Sequence, residues 1–219
     1  NNREISISLD PQITPQENLE KLYKKYNKLK RGMEANKRRF LEINEDLDYL
    51  NSIKLFIDNS PSTDNLKLIQ EELISQGYIK VQQKKGNRKK QVKEIGYGVL
   101  EFKNFKILYG RNNIENDNLT FKIASKEDIW LHSKNIPGSH VIIVANGQTI
   151  PDTTLNEGAM LSAFYSKAKN SSKVPVDYTE KKNVKKPNGS KPGFVIYETN
   201  KTAYITTSEE EIKKIRRGD

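Results

Sequence analysis

Asp128-Ile-Trp-Leu-His132 and, after Ser-Lys-Asn-Ile-Pro-Gly-Ser-His, Val141-Ile-Ile-Val-Ala145 decide the fold of the second part of this chain. The second run is apolar at every position. A strand with that pattern must be covered on both faces, which makes it the centre of a layered domain. In the first run, period-two alternation puts Trp130 and His132 on one face with Asp128. Working outward, Val99-Leu-Glu-Phe102 and Phe105-Lys-Ile-Leu-Tyr109 read as a hairpin turning at Lys103-Asn104. Thr154 and Glu157 form a capping-box pattern for a helix running to about Lys169, with Gly158, Ala159, Ser162 and Ala163 as a small face for close packing on a sheet. Phe194-Val-Ile-Tyr197 and Thr202-Ala-Tyr-Ile-Thr206 read as a second hairpin through Thr199-Asn200, and Ser208 as the cap of a last basic helix.

Upstream the period changes. Arg3-Glu-Ile-Ser-Ile-Ser-Leu9 alternates like a strand; its partner is expected upstream of residue 1, so the chain reads as a fragment. Thr14-Pro15 with Glu17 is then a helix start. Leu19, Tyr26, Met33, Phe40 and Leu47 alternate at steps of three and four with Leu22, Leu29, Asn36, Ile43, Leu50 and Ile57. Sustained for so many heptads, this predicts a coiled-coil seam, with Asn36 as a register-fixing polar position. At 1.5 Å per residue the rod from 15 to about 58 runs roughly 60 Å. A short second helix, capped by Thr63 or Asp64, presents Leu66, Ile69, Leu73 and Ile74 and stops at Gly77; it is too short to cover the seam. An upstream helix or self-association must do so. The expected fold class is α+β: a long coiled-coil helix with a short second helix over residues 1–79, a basic linker over 80–93, and a compact mixed α/β domain over 94–219.

The formal net charge is +10, and its distribution points to a partner. Residues 1–79 carry 12 Lys/Arg against 13 Asp/Glu, whereas 80–219 carry 26 against 15, so the excess sits in the C-terminal part, as suits an anionic partner. With no cysteine there is neither a disulfide nor a thiolate metal site. No apolar run approaches the roughly 18 residues of a membrane helix. Lys84, Lys85, Arg88, Lys89 and Lys90 make the linker a solvated tether.

Chemistry is densest between 110 and 141, which holds both histidines and the only tryptophan. His132, His140 and Asp128 are too few for a closed metal site, and each histidine reads first as a hydrogen-bonded structural group. Ser139-His140 with Asp128 has the residue types of a hydrolase triad, but Pro137-Gly-Ser-His lacks the Gly-x-Ser-x-Gly elbow. Lys181 to Gly193 lacks the spacing of a phosphate loop and reads as a mobile basic loop. No enzyme activity, metal or cofactor is expected.

Gly110-Arg-Asn-Asn113, Asp128-Ile-Trp-Leu-His132, Pro137-Gly-Ser-His-Val141, Phe164-Tyr-Ser-Lys-Ala168, Val174-Pro-Val-Asp-Tyr-Thr179 and Lys186-Pro-Asn-Gly-Ser-Lys-Pro-Gly193 stand in an order that resembles the NFACT family, also labelled fibronectin-binding protein A-like. The resemblance implies that residues 1 to about 80 are the end of the coiled-coil middle region and about 94 to 219 the NFACT-R domain. It further implies a cytoplasmic ribosome quality control role. Such proteins bind a large ribosomal subunit carrying peptidyl-tRNA, and bacterial members support C-terminal alanine tailing of stalled nascent chains. The tRNA-gripping residues belong to an N-terminal domain outside this chain. With that resemblance, contact with rRNA or tRNA is expected at Arg111, Asn112, Asn113, His132, His140, Lys167, Lys185, Lys186 and Lys191, with Lys169, Lys173, Tyr165 and Tyr178 beside them. Arg111→Ala is expected to weaken subunit binding with little change in melting temperature. The older label implies the alternative, a surface adhesin binding fibronectin or another matrix protein.

Overall fold

The computed structural model describes residues 5–60, 62–80, 96–207 and 210–213, and divides at residue 47 into two compact units. In the first unit, residues 5–10 have no regular structure and Ile5, Ile7 and Leu9 are exposed. The expected strand does not form over the described residues 5–9, because an isolated strand gains nothing without a neighbour to pair with. The segment is instead tied to the helix that follows: the Asp10 N–H donates to Asn18 Oδ1 at 2.8 Å. Helix α1, Pro15–Asp58, starts as its capping box predicts, with Thr14 N–H to Glu17 Oε2 at 2.8 Å and Glu17 N–H to Thr14 Oγ1 at 3.2 Å. The heptad seam lies on the surface, with Met33 68% and Phe40 64% exposed.

In the second unit, the end of α1 turns in Tyr49, Ile53 and Phe56, spaced four and three residues apart, rather than the seam positions Leu50 and Ile57, which stay exposed. These three pack on Ile69 and Leu73 of α2, Thr63–Ser75. The cap is Ser62, one residue before the expected Thr63, its hydroxyl accepting from the Asn65 N–H at 3.3 Å. Gly77, at φ 81°, ends the turn as expected.

The α/β domain is built on a six-stranded antiparallel sheet. Its strands are β1 (Gly98–Phe102), β2 (Phe105–Tyr109), β3 (Ile129–Ser133), β4 (Val141–Ile143), β5 (Val174–Glu180) and β8 (Lys201–Ile205), in the order β1-β2-β4-β3-β5-β8. As expected, the all-apolar β4 is internal and buried on both faces. Helix α4, Asp152–Phe164, covers one face, and its small residues allow close contact: a Cβ on Gly158 would lie 2.8 Å from Ile143 Cδ1. The other face packs Leu108, Trp130 and Ile142 under α3 (Asn113–Asn118), the π-helical turn Leu119–Ile123, and a two-stranded sheet of β6 (Val184–Lys185) with β7 (Ile196–Tyr197).

Three expectations change here. Residues 194–197 and 202–206 do not pair with each other: β7 joins β6, and β8 takes the edge of β5, because seven-residue β5 offers a full-length partner from Val174↔Ile205 to Tyr178↔Lys201. Helix α4 starts at Asp152, so Thr154 lies inside it, its hydroxyl is buried without a partner, and no capping box forms with Glu157; the helix also stops at Phe164, short of Lys169. The linker residues 81–93 and the Ser208 cap lie outside the described residues, though residues 210–213 are helical and Ile212 reaches the core.

Candidate nucleic-acid interface

Gly110-Arg-Asn-Asn113 is a helix start rather than an open loop. Asn112 caps α3, its side chain accepting from the Glu115 N–H at 2.8 Å. Its amide also donates to Asn65 Oδ1 at 2.7 Å, and Asn65 returns a bond to the Arg111 carbonyl at 3.2 Å. Asn113 Nδ2 donates to Ser52 Oγ at 2.9 Å and to Glu72 Oε1 at 3.1 Å, where the Tyr49 hydroxyl also donates at 2.8 Å. Four buried polar side chains, Asn65 and Glu72 of α2 with the cap Asn112 and Asn113 of α3, thereby join the helical hairpin to the sheet domain. Arg111 forms a fork on Glu115, Nε to Oε2 and Nη2 to Oε1, each 2.9 Å, with the arginine side chain 38% exposed and the glutamate 0%.

The second motif closes on the first. Asn116 donates to the Gly138 carbonyl at 3.3 Å and accepts from the His140 N–H at 2.9 Å, while the Gly110 N–H donates to the His140 carbonyl at 3.1 Å. Gly110 is required by this approach, since a Cβ there would meet Asn116 Oδ1 at 2.1 Å. His140 Nδ1 pairs with Thr120 Oγ1 at 2.8 Å. Burial pushes the imidazole of His132 down to about 4 against a hydrogen bond to the Gly138 backbone, and burial holds His140 well below its ordinary range. Both are uncharged at neutral pH and bring no positive charge to a phosphate. Asp128 ties strand ends as a structural acid, accepting from Ser125 N–H at 2.8 Å and Ala145 N–H at 2.9 Å. Of the triad-like pattern, His140 and Asp128 thus have separate side-chain partners, and the Ser139 N–H donates to the Tyr165 carbonyl at 3.2 Å. Among the described residues no group of three His, Cys, Asp or Glu side chains is placed to hold a metal ion.

The basic stretch from Lys181 to Gly193, expected to be a mobile loop, begins as a 3-10 turn at Lys181–Asn183 and strand β6, and the remainder has fixed anchors. Lys186 pairs with Asp117, the Gly193 N–H donates to Asp117 Oδ1 at 3.0 Å, and His140 hydrogen-bonds the Gly193 backbone. The Lys191 ammonium lies 4.8 Å from the ring centres of both Tyr49 and Tyr78. The structure therefore brings Arg111, Asn112, Asn113, His140, Lys186 and Lys191 together at one junction, with both asparagines and His140 buried, Arg111 and Lys191 partly buried and Lys186 exposed but paired. His132 is half-buried against Trp130, while Lys167 and Lys185 are exposed outside the junction. Tyr165 stacks on Tyr109 at 4.7 Å and Tyr178 packs on the core. Sequence reasoning missed Glu72, Glu115 and Asn65, which receive or complete these bonds; the Glu115 cap interaction was legible three residues after Asn112.

The second unit is thus an antiparallel sheet domain clasped to a helical hairpin, and comparison with known proteins supplies the family. Residues 1–92 match the model of the NFACT N-terminal and middle domains, and residues 97–198 that of the NFACT protein RNA binding domain. The chain is 38% identical to the Rqc2 homolog RqcH of Bacillus subtilis (strain 168), over 97% of this chain and 37% of that protein. It is 39% identical to the Rqc2 homolog RqcH of Streptococcus suis (strain 05ZYH33), over 98% of this chain and 38% of that one. It therefore spans little more than a third of the length of these curated relatives. It is also similar to the solved C-terminal part of the fibronectin/fibrinogen-binding protein from Streptococcus suis, with a TM-score of 0.80 and 36% identity, covering 92% of this chain and 80% of that one. The chain belongs to the NFACT family.

Proposed function

We propose that this chain is the RNA-binding C-terminal part of a ribosome quality control factor that engages the large ribosomal subunit carrying peptidyl-tRNA. The match of residues 97–198 to an RNA binding domain carries the reading. The excess of 26 Lys/Arg over 15 Asp/Glu after residue 79 agrees with it. On this reading the fragment is a binding module, not an enzyme, and works in the cytoplasm. Alanine tailing belongs to the whole protein, with tRNA selection supplied by segments outside this chain. Among the described residues no helix is long and apolar enough to cross a membrane.

Sedimentation with isolated large subunits at two salt concentrations tests the proposal. The expected result is cosedimentation at low salt that falls steeply as salt rises, since each phosphate contact contributes separately to the slope. Binding to fibronectin without binding to subunits would replace the reading with the adhesin that the name of the Streptococcus suis structure suggests.

A further inference from the structure

Resting on that RNA-binding reading, we infer that unpaired RNA is held at one end of the six-stranded sheet, where Tyr204 supplies a stacking surface for a base and a ring of lysines meets the flanking phosphates. Three segments converge there. Lys134 N–H donates to the Pro175 carbonyl at 2.9 Å and Lys167 N–H to the Pro137 carbonyl at 2.9 Å. Lys173 N–H donates to Thr206 Oγ1 at 3.0 Å, and Thr207 Oγ1 to the Lys169 carbonyl at 2.9 Å. The register pairs Pro175 with Tyr204, so a proline and a tyrosine lie side by side across the two strands. On β8, Ala203 and Ile205 pack towards α4, which turns Tyr204 to the opposite face.

Tyr204 is 71% exposed, the most exposed aromatic of the sheet domain among the described residues. A ring left in water at that level contributes little to the core, so its face is open to a partner. The residues around it are of one sign. Segments 133–139, 165–176 and 203–207 contain Lys134, Lys167, Lys169 and Lys173 and no carboxylate. The carboxylate beneath, Asp177, is buried and bonded by the Tyr197 hydroxyl at 2.8 Å and Thr202 Oγ1 at 2.5 Å, with Lys134 at 3.6 Å. A single exposed ring within a lysine border matches what single-stranded nucleic acid requires: stacking that accepts any base, with charge for the backbone. A rigid double helix keeps its bases stacked on each other and offers the ring nothing, so the occupant is an unpaired stretch.

The test is the affinity of the 219-residue chain for a fluorescent single-stranded RNA oligomer and for large ribosomal subunits, at two salt concentrations. Tyr204→Ala is expected to weaken oligomer binding about tenfold and Tyr204→Phe to preserve it, because the ring rather than the hydroxyl stacks. Lys167→Gln with Lys173→Gln is expected to lower the salt slope by about 1.4, the worth of two phosphate contacts on a single strand. An unchanged melting temperature in all three would show that the loss is local. If Tyr204→Ala binds like the parent while the parent binds RNA, the sheet end is not the site and the RNA-binding reading stands. If the parent binds neither RNA nor subunits, the functional reading fails and this inference fails with it.

Discussion

The junction at Gly110–Asp117 and the lysine-rich sheet end around Tyr204 are both polar, yet the fold uses them in opposite ways. At the junction the bonds that close the structure are made by side chains: Asn112 to Asn65, Asn113 to Glu72, Arg111 to Glu115, Asn116 to the Gly138 and His140 backbones. At the sheet end Lys134 and Lys167 contribute their backbone N–H groups; the Lys134 ammonium also pairs with Asp177 and the Lys169 ammonium with Asn59, while Lys167 and Lys173 are exposed. A dense run of polar residues is therefore a poor guide to an interface. What matters is whether side chain or backbone carries the bonds of the fold, because only a side chain left over can be offered to a partner.

The largest effect should come from the core beneath the junction. Trp130 is fully buried, stacked on His132 at 5.7 Å and against Tyr197 at 4.8 Å. Trp130→Ala should cost about 3 to 5 kcal/mol of stability through the cavity it leaves, measurable as a lowered urea midpoint. A variant with an unchanged midpoint would mean that the face under β6 and β7 is loosely packed.

Arg111 breaks the comparison or sharpens it. Its guanidinium is the partner of a fully buried carboxylate, so Arg111→Ala strands Glu115 and should cost about 3 kcal/mol, whereas Tyr204→Ala should stay within about 0.5 kcal/mol of the parent. This reverses the expectation from sequence, in which Arg111 was the contact residue and its loss left the melting temperature unchanged. Thermal denaturation of the two variants side by side decides between them. Equal melting temperatures would remove the distinction between junction and surface.

Glu72 gives the junction a pH dependence. Burial raises its carboxyl to about 7, against bonds from Tyr49 and Asn113 and the charge of Lys186 that lower it, with Asp117 adding to the rise; Oε2 is buried without a partner. The folded state holds this proton more tightly than the unfolded chain, which releases it near 4.5. Its contribution is therefore complete below about 4.5 and is lost as pH rises through about 7, an effect on the order of 2 kcal/mol. Urea titrations across that window should show the decline in the parent and its absence in Glu72→Gln. Parallel curves would place the Glu72 carboxyl at an ordinary value.

Much of the fold was legible because period and turn chemistry agree: the Thr14 capping box, the turn at Lys103 (φ 52°), the doubly covered β4 and the small face of α4 all form. Strand β5 was not read, since Pro175 argues against a strand; the proline is tolerated because it lies beyond the last pair with β3, Ser133↔Val176. The pairing of β7 with β6 rather than β8 depends on which strand has a free edge, a property of the assembled sheet. The site was less legible for the same reason. Sequence order places Asn112 and Asn113 beside a charged arginine, but their burial is decided by Asn65, Ser52 and Glu72, which are 41 to 61 residues away. Tyr204 carried a weak signal, since alternation in β8 sets it opposite Ala203 and Ile205.

The smallest effect distinguishes neighbours in the basic loop. Lys185 and Lys186 are adjacent and both exposed, yet Lys186 pairs with Asp117, which also accepts from the Gly193 N–H, while Lys185 lies on β6 opposite Ile196. Lys186→Ala should release the loop from α3 at a cost of about 1 kcal/mol, the worth of a partly exposed pair supported by a second bond. Lys185→Ala should change stability by less than about 0.5 kcal/mol. In subunit binding the order should invert: loss of Lys185 removes a solvent-facing charge and should lower the salt slope by up to about one, whereas Lys186, already neutralised by Asp117, should leave the slope nearly unaltered. A larger slope change for Lys186→Ala than for Lys185→Ala would show that the ion pair opens to phosphate, and the junction would then belong to the interface after all.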